Sequence, residues 1–241
     1  MYLRRQDELV ASCYSTAVKS GSTDEFHFPQ EIGSLDYLRL LNMWAAVFGE
    51  DNISVRVFEP QQMKHGDLIS DFFETVGYMQ HVDILRPEDQ NRSLDVHTVE
   101  FLRRFNTRVP IFTMNRANPD RGYIEQALAD ITSRECLRPR AEAATAFRFT
   151  ESNAEMARRF LNRRDGVLFT SAPPHDQQAR LPTLDLDKAV TIAAALWRWQ
   201  ETRLSAIQTE RSRRTAEGSL ARLKRHLRRV SAVNGYSAGL S

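Results

Sequence analysis

Two extended stretches joined only through helices set the terms for this chain. Tyr2-Leu3-Arg4 reads as the end of a strand, and Asn52 to Phe58 reads as a full one, with Ile53, Val55 and Val57 alternating. Between them, Gln6 to Lys19 has helical spacing, with Leu9, Cys13 and Ala17 on one face, and Gly21-Ser22-Thr23-Asp24 breaks it. Ser34 is placed to cap a second helix in which Leu38, Leu41, Ala45 and Phe48 repeat on one side, and Gly49-Glu50-Asp51 ends it. Strands connected through helices run parallel, and parallel sheets are stable when several strands lie buried between helical layers. A lone parallel pair starting at residue 1 would leave an edge open. Either further strands escape the pattern, or the chain is the C-terminal part of a larger α/β fold; the second is the expectation.

Beyond the second strand the pattern is mostly helical. Asp67 to Val76 presents Leu68, Ile69, Phe72, Phe73 and Val76. Ser93 starts a helix with Val99, Leu102 and Phe105 inward, and Asn118-Pro119 caps another that carries Tyr123, Ala127 and Ile131. Ser152-Asn153-Ala154-Glu155 has the form of a capping box, and Val167-Leu168-Phe169 of a short extended piece. Ala172-Pro173-Pro174 and Pro182 bound a loop, which divides an α/β domain at 1–182 from a long C-terminal helix and basic tail at 183–241. That last helix opens at Thr183, runs through Ala189, Ala193, Leu196 and Trp197, and continues polar and basic to about Arg229.

Composition narrows the function classes. With 41% hydrophobic and 27% charged residues over 241 positions, the chain is an ordinary globular sequence, not a disordered one. No run approaches the eighteen or so apolar residues of a membrane span, and Met1 to Glu8 has no secretory stretch, so a cytoplasmic protein is expected. Cys13 and Cys136 cannot build a disulfide framework or a zinc site by themselves. His65, His81, His97, His175 and His226 are scattered, with no i, i+4 pair, so no metal site is expected. The net charge of +2 hides an asymmetry. Thr202 to Val230 holds nine basic residues against Glu210 and Glu217, so this arm carries +7 and the remainder −5.

The chemistry concentrates at the start of the chain. Arg4 stands at the end of the first strand, Ser12 lies eight residues on in the following helix, and Tyr14 two beyond. Ligands of open α/β sheets bind at the carboxyl ends of strands. There a guanidinium offers paired donors and a hydroxyl adds a short hydrogen bond, so the two can converge on one phosphate. The helix N-terminus adds a favourable dipole, which Asp7 and Glu8 weaken.

The run Arg4-Arg5-Gln6-Asp7-Glu8-Leu9-Val10-Ala11-Ser12-Cys13-Tyr14 resembles the sulfotransferase superfamily, matching its pattern of Arg, seven residues, Ser, one residue, Tyr. Asp36-Tyr37-Leu38 to Trp44, Phe48 to Ile53 and Val55 to Glu59 are similar to the helix, strand and acidic turn that follow in bacterial members. Asn91-Arg92-Ser93-Leu94 and Ser152 to Phe169 are similar to later parts of polysaccharide-modifying ones. The resemblance implies a P-loop-nucleotide-kinase-like parallel sheet between helices, N-terminally truncated, with a mostly helical C-terminal half. It implies that Arg4 and Ser12 bind the 3′-phosphate of 3′-phosphoadenosine 5′-phosphosulfate (PAPS), with Tyr14 positioning the helix. The reaction implied is sulfuryl transfer to a hydroxyl of a carbohydrate or glycolipid.

Two departures accompany it. The family needs a loop upstream of this motif to cradle the phosphosulfate, and none of the ten glycines here sits in such a loop. Its general base also lies upstream, where only three residues precede Arg4. The expectation is a sulfotransferase-type chain incomplete as it stands, with no catalytic residue of its own. The alternatives are a degenerate binding or interaction protein, and an adaptor working through the basic tail.

Arg4 and Ser12 also have a plainer reading, a strand-end arginine that caps a carboxylate and a helix serine that faces solvent, and other chemistry-bearing residues have plainer readings too. His27, between Phe26 and Phe28, could serve as a base but reads as a packed loop histidine. Glu59 could bind substrate but reads as the cap of the turn before Pro60. Trp44, Trp197 and Trp199 read as core or helix-packing residues. The basic arm, with Leu204, Ile207, Leu220, Leu223 and Leu227, is modestly amphipathic; it suits self-association or an anionic inner-membrane surface, whereas nucleic acid is disfavoured because the arm lacks aromatics to stack bases.

Overall fold

The computed structural model describes residues 1–27, 33, 35–78, 94–132, 148–171 and 183–236, with side chains of the last helix described to 217 and at 220. The fold is mixed α/β and mostly helical. It begins with β1 (Tyr2–Leu3), α1 (Gln6–Lys19), α2 (Tyr37–Phe48) and β2 (Arg56–Val57), followed by α3 (Leu68–Thr75) and α4 (Val96–Arg108). A hairpin of β3 (Phe112–Thr113) and β4 (Arg116–Ala117) leads to α5 (Ile124–Ile131), α6 (Thr150–Phe160) and α7 (Leu186–Tyr236). The chain divides into two units, Met1–Ala189 and Val190–Ser241.

The expected parallel pair is present: β1 runs alongside β2 with Tyr2 opposite Arg56 and Leu3 opposite Val57. Ladder bonds continue on either side, from the Arg56 N–H to the Met1 carbonyl at 2.8 Å and from the Phe58 N–H to the Leu3 carbonyl at 2.7 Å. The second strand is much shorter than its alternation suggests. Gly49 ends α2 at φ +82°, and Glu50–Asn52 coils into a 3-10 turn, so pairing begins only at Arg56. A two-stranded sheet cannot support itself, and helices supply the core. Leu3, Val55 and Val57 pack with Tyr37 and Leu41 of α2, Met156 and Ala157 of α6, and Leu168. Leu168 is buried although Val167-Leu168-Phe169 forms no strand.

Several sequence expectations are corrected here. The inward face of α1 carries Gln6, Asp7, Val10, Ala11, Ser15 and Val18, while Cys13 and Ala17 are exposed. Asp36 caps α2, accepting from the Arg39 N–H at 3.2 Å, and Asp95 caps α4, accepting from the His97 and Thr98 N–H groups at 3.0 Å. The expected caps Ser34 and Ser93 lie outside the described residues, as do Asn91, Arg92, His81, His175, Cys136 and the loop prolines. Ser152 is no capping residue: α6 begins two residues earlier, with Phe149 at its N-cap, and the Ser152 hydroxyl donates to the Asp36 carboxylate at 2.6 Å. Asn153 bonds the buried Gln6 amide instead, at 2.8 Å. Trp44, Phe48 and Trp197 are exposed rather than in the core. Trp44 and Phe48 stack on each other with centroids 5.5 Å apart.

Candidate functional site

The carboxyl ends of β1 and β2 bring four side chains of interest together: Arg4 and Arg5 after β1, Phe58 and Glu59 after β2. Arg5 is the N-cap of α1 and makes no side-chain cap bond, so the first turn of the helix presents Asp7 and Glu8 directly to the two guanidiniums. Arg4 Nε lies 3.1 Å from Glu8 Oε2, and Arg4 Cζ sits 5.8 Å from the Phe58 ring centroid. Its backbone carbonyl accepts from the Tyr37 hydroxyl, so the main chain at this point is fixed from α2. Arg5 forks onto Asp7 at 2.7 and 3.0 Å and reaches Glu8 Oε1 at 3.3 Å. Glu8 therefore bridges both arginines with its two oxygens.

Ser12 stands one turn beyond Glu8 on α1 and is half-buried. Residues at i and i+4 share a helix face, so Ser12 lies on the face of α1 that carries Glu8. Arg4 is thus paired with an internal carboxylate from the first turn of α1, and Ser12 stands one turn further along that helix. Tyr14 is packed edge-on against Phe26, centroids 5.1 Å apart, and its buried hydroxyl has no hydrogen-bond partner among the described residues. Burial raises its pKa.

A second polar cluster adjoins the first through Arg5, which donates to the Ser171 carbonyl and hydroxyl at 3.3 and 3.2 Å. The Ser171 hydroxyl donates in turn to Glu59, which also accepts from the Thr170 N–H at 2.9 Å, the Thr170 hydroxyl at 2.8 Å and Gln62 Nε2 at 2.7 Å. Burial alone would raise the pKa of Glu59. The Ser171, Thr170 and Gln62 hydrogen bonds outweigh it and bring the value down to about 2. A carboxylate so held is a poor proton acceptor; Glu59 stands at the N-cap of the turn Pro60–Gln62, as expected, and its side chain also bolts the 170–171 segment to the end of β2.

Asp71 plays the same part beneath the sheet. It is 1% exposed, accepts from the Tyr2 hydroxyl at 2.7 Å, Arg56 Nε at 2.9 Å and the Lys64 N–H at 2.9 Å, and ties both strands to α3. The Arg56 hydrogen bond above all holds its pKa well below the carboxylate range.

Sequence reasoning passed over Arg5, Glu8 and Asp71 as partners. The Arg4–Glu8 i, i+4 spacing was the available signal for the first pair. His27 is exposed, with Nδ1 2.9 Å from the Glu25 carbonyl, and touches nothing at this site. Among the described residues no group of three His, Cys, Asp or Glu could hold a metal ion, and no helix is long and apolar enough to cross a membrane. An open depression of about 560 Å³ beside α2, lined by Asp36, Leu38, Arg39, Asn42, Met43 and Ala46, does not include Arg4 or Ser12.

No family model matches the chain, and no solved structure does. It is 27% identical over 202 residues to an uncharacterized protein of Archaeoglobus fulgidus, an alignment that covers 78% of this chain and 53% of that relative. The chain spans about half the length of the curated relative it matches.

Proposed function

We propose that this chain carries the 3′-phosphate-binding part of a PAPS-dependent sulfotransferase whose acceptor is a hydroxyl of a carbohydrate or glycolipid. The observation that carries the reading is Arg4 at the carboxyl end of a strand in a parallel pair, followed directly by the helix that carries a half-buried Ser12. In this reading β1 and β2 belong to a parallel sheet of the P-loop nucleotide-kinase type. The Arg4 guanidinium gives the ribose-linked phosphate paired donors and charge, Ser12 adds a hydroxyl, and Tyr14 packs the helix in place. In sulfuryl transfer the acceptor oxygen bonds to sulfur as the bond to the bridging phosphate oxygen breaks, and the acceptor proton passes to a base. The reading assigns neither the base nor the phosphosulfate cradle to residues of this chain, so the chain alone is expected to bind the nucleotide without turnover. A cytoplasmic protein, peripheral to the inner membrane through its basic arm, is the setting the proposal implies.

Titration calorimetry with adenosine 3′,5′-bisphosphate tests it. Arg4→Ala removes a charge-assisted pair and should weaken binding at least tenfold, and Ser12→Ala a few-fold. Equal affinity in Arg4→Ala and wild type would remove the assigned site. One observation favours a second reading, that of an interaction module: Val190, Trp197, Leu204 and Ile207 form an exposed apolar stripe along α7.

A further inference from the structure

The bridge across Arg4 and Arg5 seats one internal carboxylate on two guanidiniums. Glu8 offers one carboxylate oxygen to Arg4 at 3.1 Å and the other to Arg5 at 3.3 Å. Its side chain is 34% exposed and springs from the first turn of α1, so it can swing to solvent without disturbing the core. Arg4 and Arg5 are less free, at 23% and 13% exposed, and Arg5 remains anchored to Asp7 and Ser171 when Glu8 leaves. Counting Asp7, Glu8 and Glu59 against the two guanidiniums, the locus is net negative with Glu8 in place and neutral once its charge is gone.

We propose that Glu8 is a built-in competitor that holds the Arg4 locus closed to weakly binding anions, so that a phosphomonoester is the class of ligand that opens it. An incoming anion must displace a carboxylate tethered one turn away, which stands at high effective concentration. A monoester brings between one and a half and two negative charges at neutral pH, together with three acceptor oxygens. It outcompetes a single carboxylate and can span both guanidiniums. A phosphodiester brings one charge and two free oxygens and has no such advantage. Glu8 thus sets an affinity threshold: it lowers affinity by the same factor for every anion that must displace it, which leaves the monoester bound and the weaker monoanion not. The inference rests on the 3′-phosphate reading of this site.

Calorimetric titration with 3′-AMP and with adenosine 2′,3′-cyclic phosphate, in wild type, Glu8→Gln, Glu8→Ala, Arg4→Ala and the exposed-acid control Asp51→Asn, separates the outcomes. Glu8→Gln and Glu8→Ala should bind both ligands about tenfold more tightly than wild type, with the ratio between the two unchanged. Asp51→Asn should match wild type. Unchanged or weaker binding in both Glu8 variants, with Arg4→Ala still losing affinity, would overturn the competitor while leaving the phosphate site standing. Tightening of the same size in Asp51→Asn would also overturn it, because the effect would then be one of overall charge. Binding indifferent to Arg4→Ala, or absent in every variant, would overturn the phosphate site and the competitor with it.

Discussion

Glu59 and Asp71 are buried carboxylates whose ionised forms the fold favours, and that fixes how stability must depend on pH. Each has a folded-state pKa below its ordinary value, near 4.5 for Glu59 and 3.8 for Asp71, and Glu59 falls to about 2. A group with a depressed folded pKa contributes stability that is fully present above its unfolded pKa and is lost as pH falls through the folded one. Urea unfolding should therefore give a midpoint that holds from pH 7 to about 5 and then declines toward pH 2. Glu59→Gln, which keeps the shape but loses the charge that Thr170 and Ser171 bond, should cost about 2–3 kcal/mol at pH 7 and flatten the acid limb. A Glu59→Gln variant as stable as wild type at pH 7 would show that these bonds exchange evenly for water. Neither network was legible in the sequence. Glu59 precedes Pro60 and reads locally as a turn residue, because its partners Thr170 and Ser171 are more than a hundred positions away. Asp71 sits within an apolar helix pattern that draws the eye to Phe72 and Phe73, yet it is the residue of α3 that is buried.

At the scale of elements, what a residue can see locally was legible and what it meets across space was not. α1 has the bounds its spacing predicts, and α3, expected from Asp67 to Val76, runs Leu68–Thr75 with Asp67 as its cap, since helical period is a local signal. The inward face of α1 was misread because Leu9, Cys13 and Ala17 form an i+4 ladder as regular as the buried one through Asp7, Val10, Ala11 and Val18. The β3–β4 hairpin gave no warning: its turn residues Met114 and Asn115 both take positive φ, at 50° and 60°, without the glycine that usually marks such a turn. Asp36 shows how one side chain can serve two elements. It caps α2 through the Arg39 N–H and accepts the Ser152 hydroxyl of α6. Asp36→Ala removes both and should destabilise by about 1–2 kcal/mol, lowering the melting temperature by roughly 3–6 °C. Ser152→Ala should cost less, because the cap survives. In a double-mutant cycle the two should couple by about 0.5–1 kcal/mol; strict additivity would mean the hydroxyl–carboxylate bond contributes nothing.

For the molecule as a whole, the question is how α7 resolves two opposed tendencies. Leu186, Val190, Ala193, Trp197, Gln200, Leu204 and Ile207 recur every three or four residues, the seam of a paired helix, and Leu186, Val190, Trp197, Leu204 and Ile207 are exposed large hydrophobics. Continuing the same spacing brings Arg211 and Arg214, where two copies in parallel register would oppose like charges. The sequence showed the basic half of this helix plainly, but not that Trp197 would lie exposed in the apolar half. If the seam governs, two chains associate through residues 186–207, and salt strengthens the association by screening the arginines beyond it. If the charge asymmetry governs, with +7 on the arm and −5 elsewhere, association joins arm to body and salt dissolves it. The seam is favoured here, because Glu210 already bonds Arg213 and Arg214 within the helix, at 3.1 and 2.8 Å, and takes up part of the arm's charge. Sedimentation equilibrium at tens of micromolar should find a dimer that persists or tightens from 50 to 500 mM salt, and Trp197→Glu with Leu204→Glu should yield a monomer that keeps the wild-type circular dichroism of the 1–189 unit. A monomer at every salt concentration, or a dimer lost at high salt and indifferent to the two glutamates, would take the seam out of the argument and leave α7 as a charged arm.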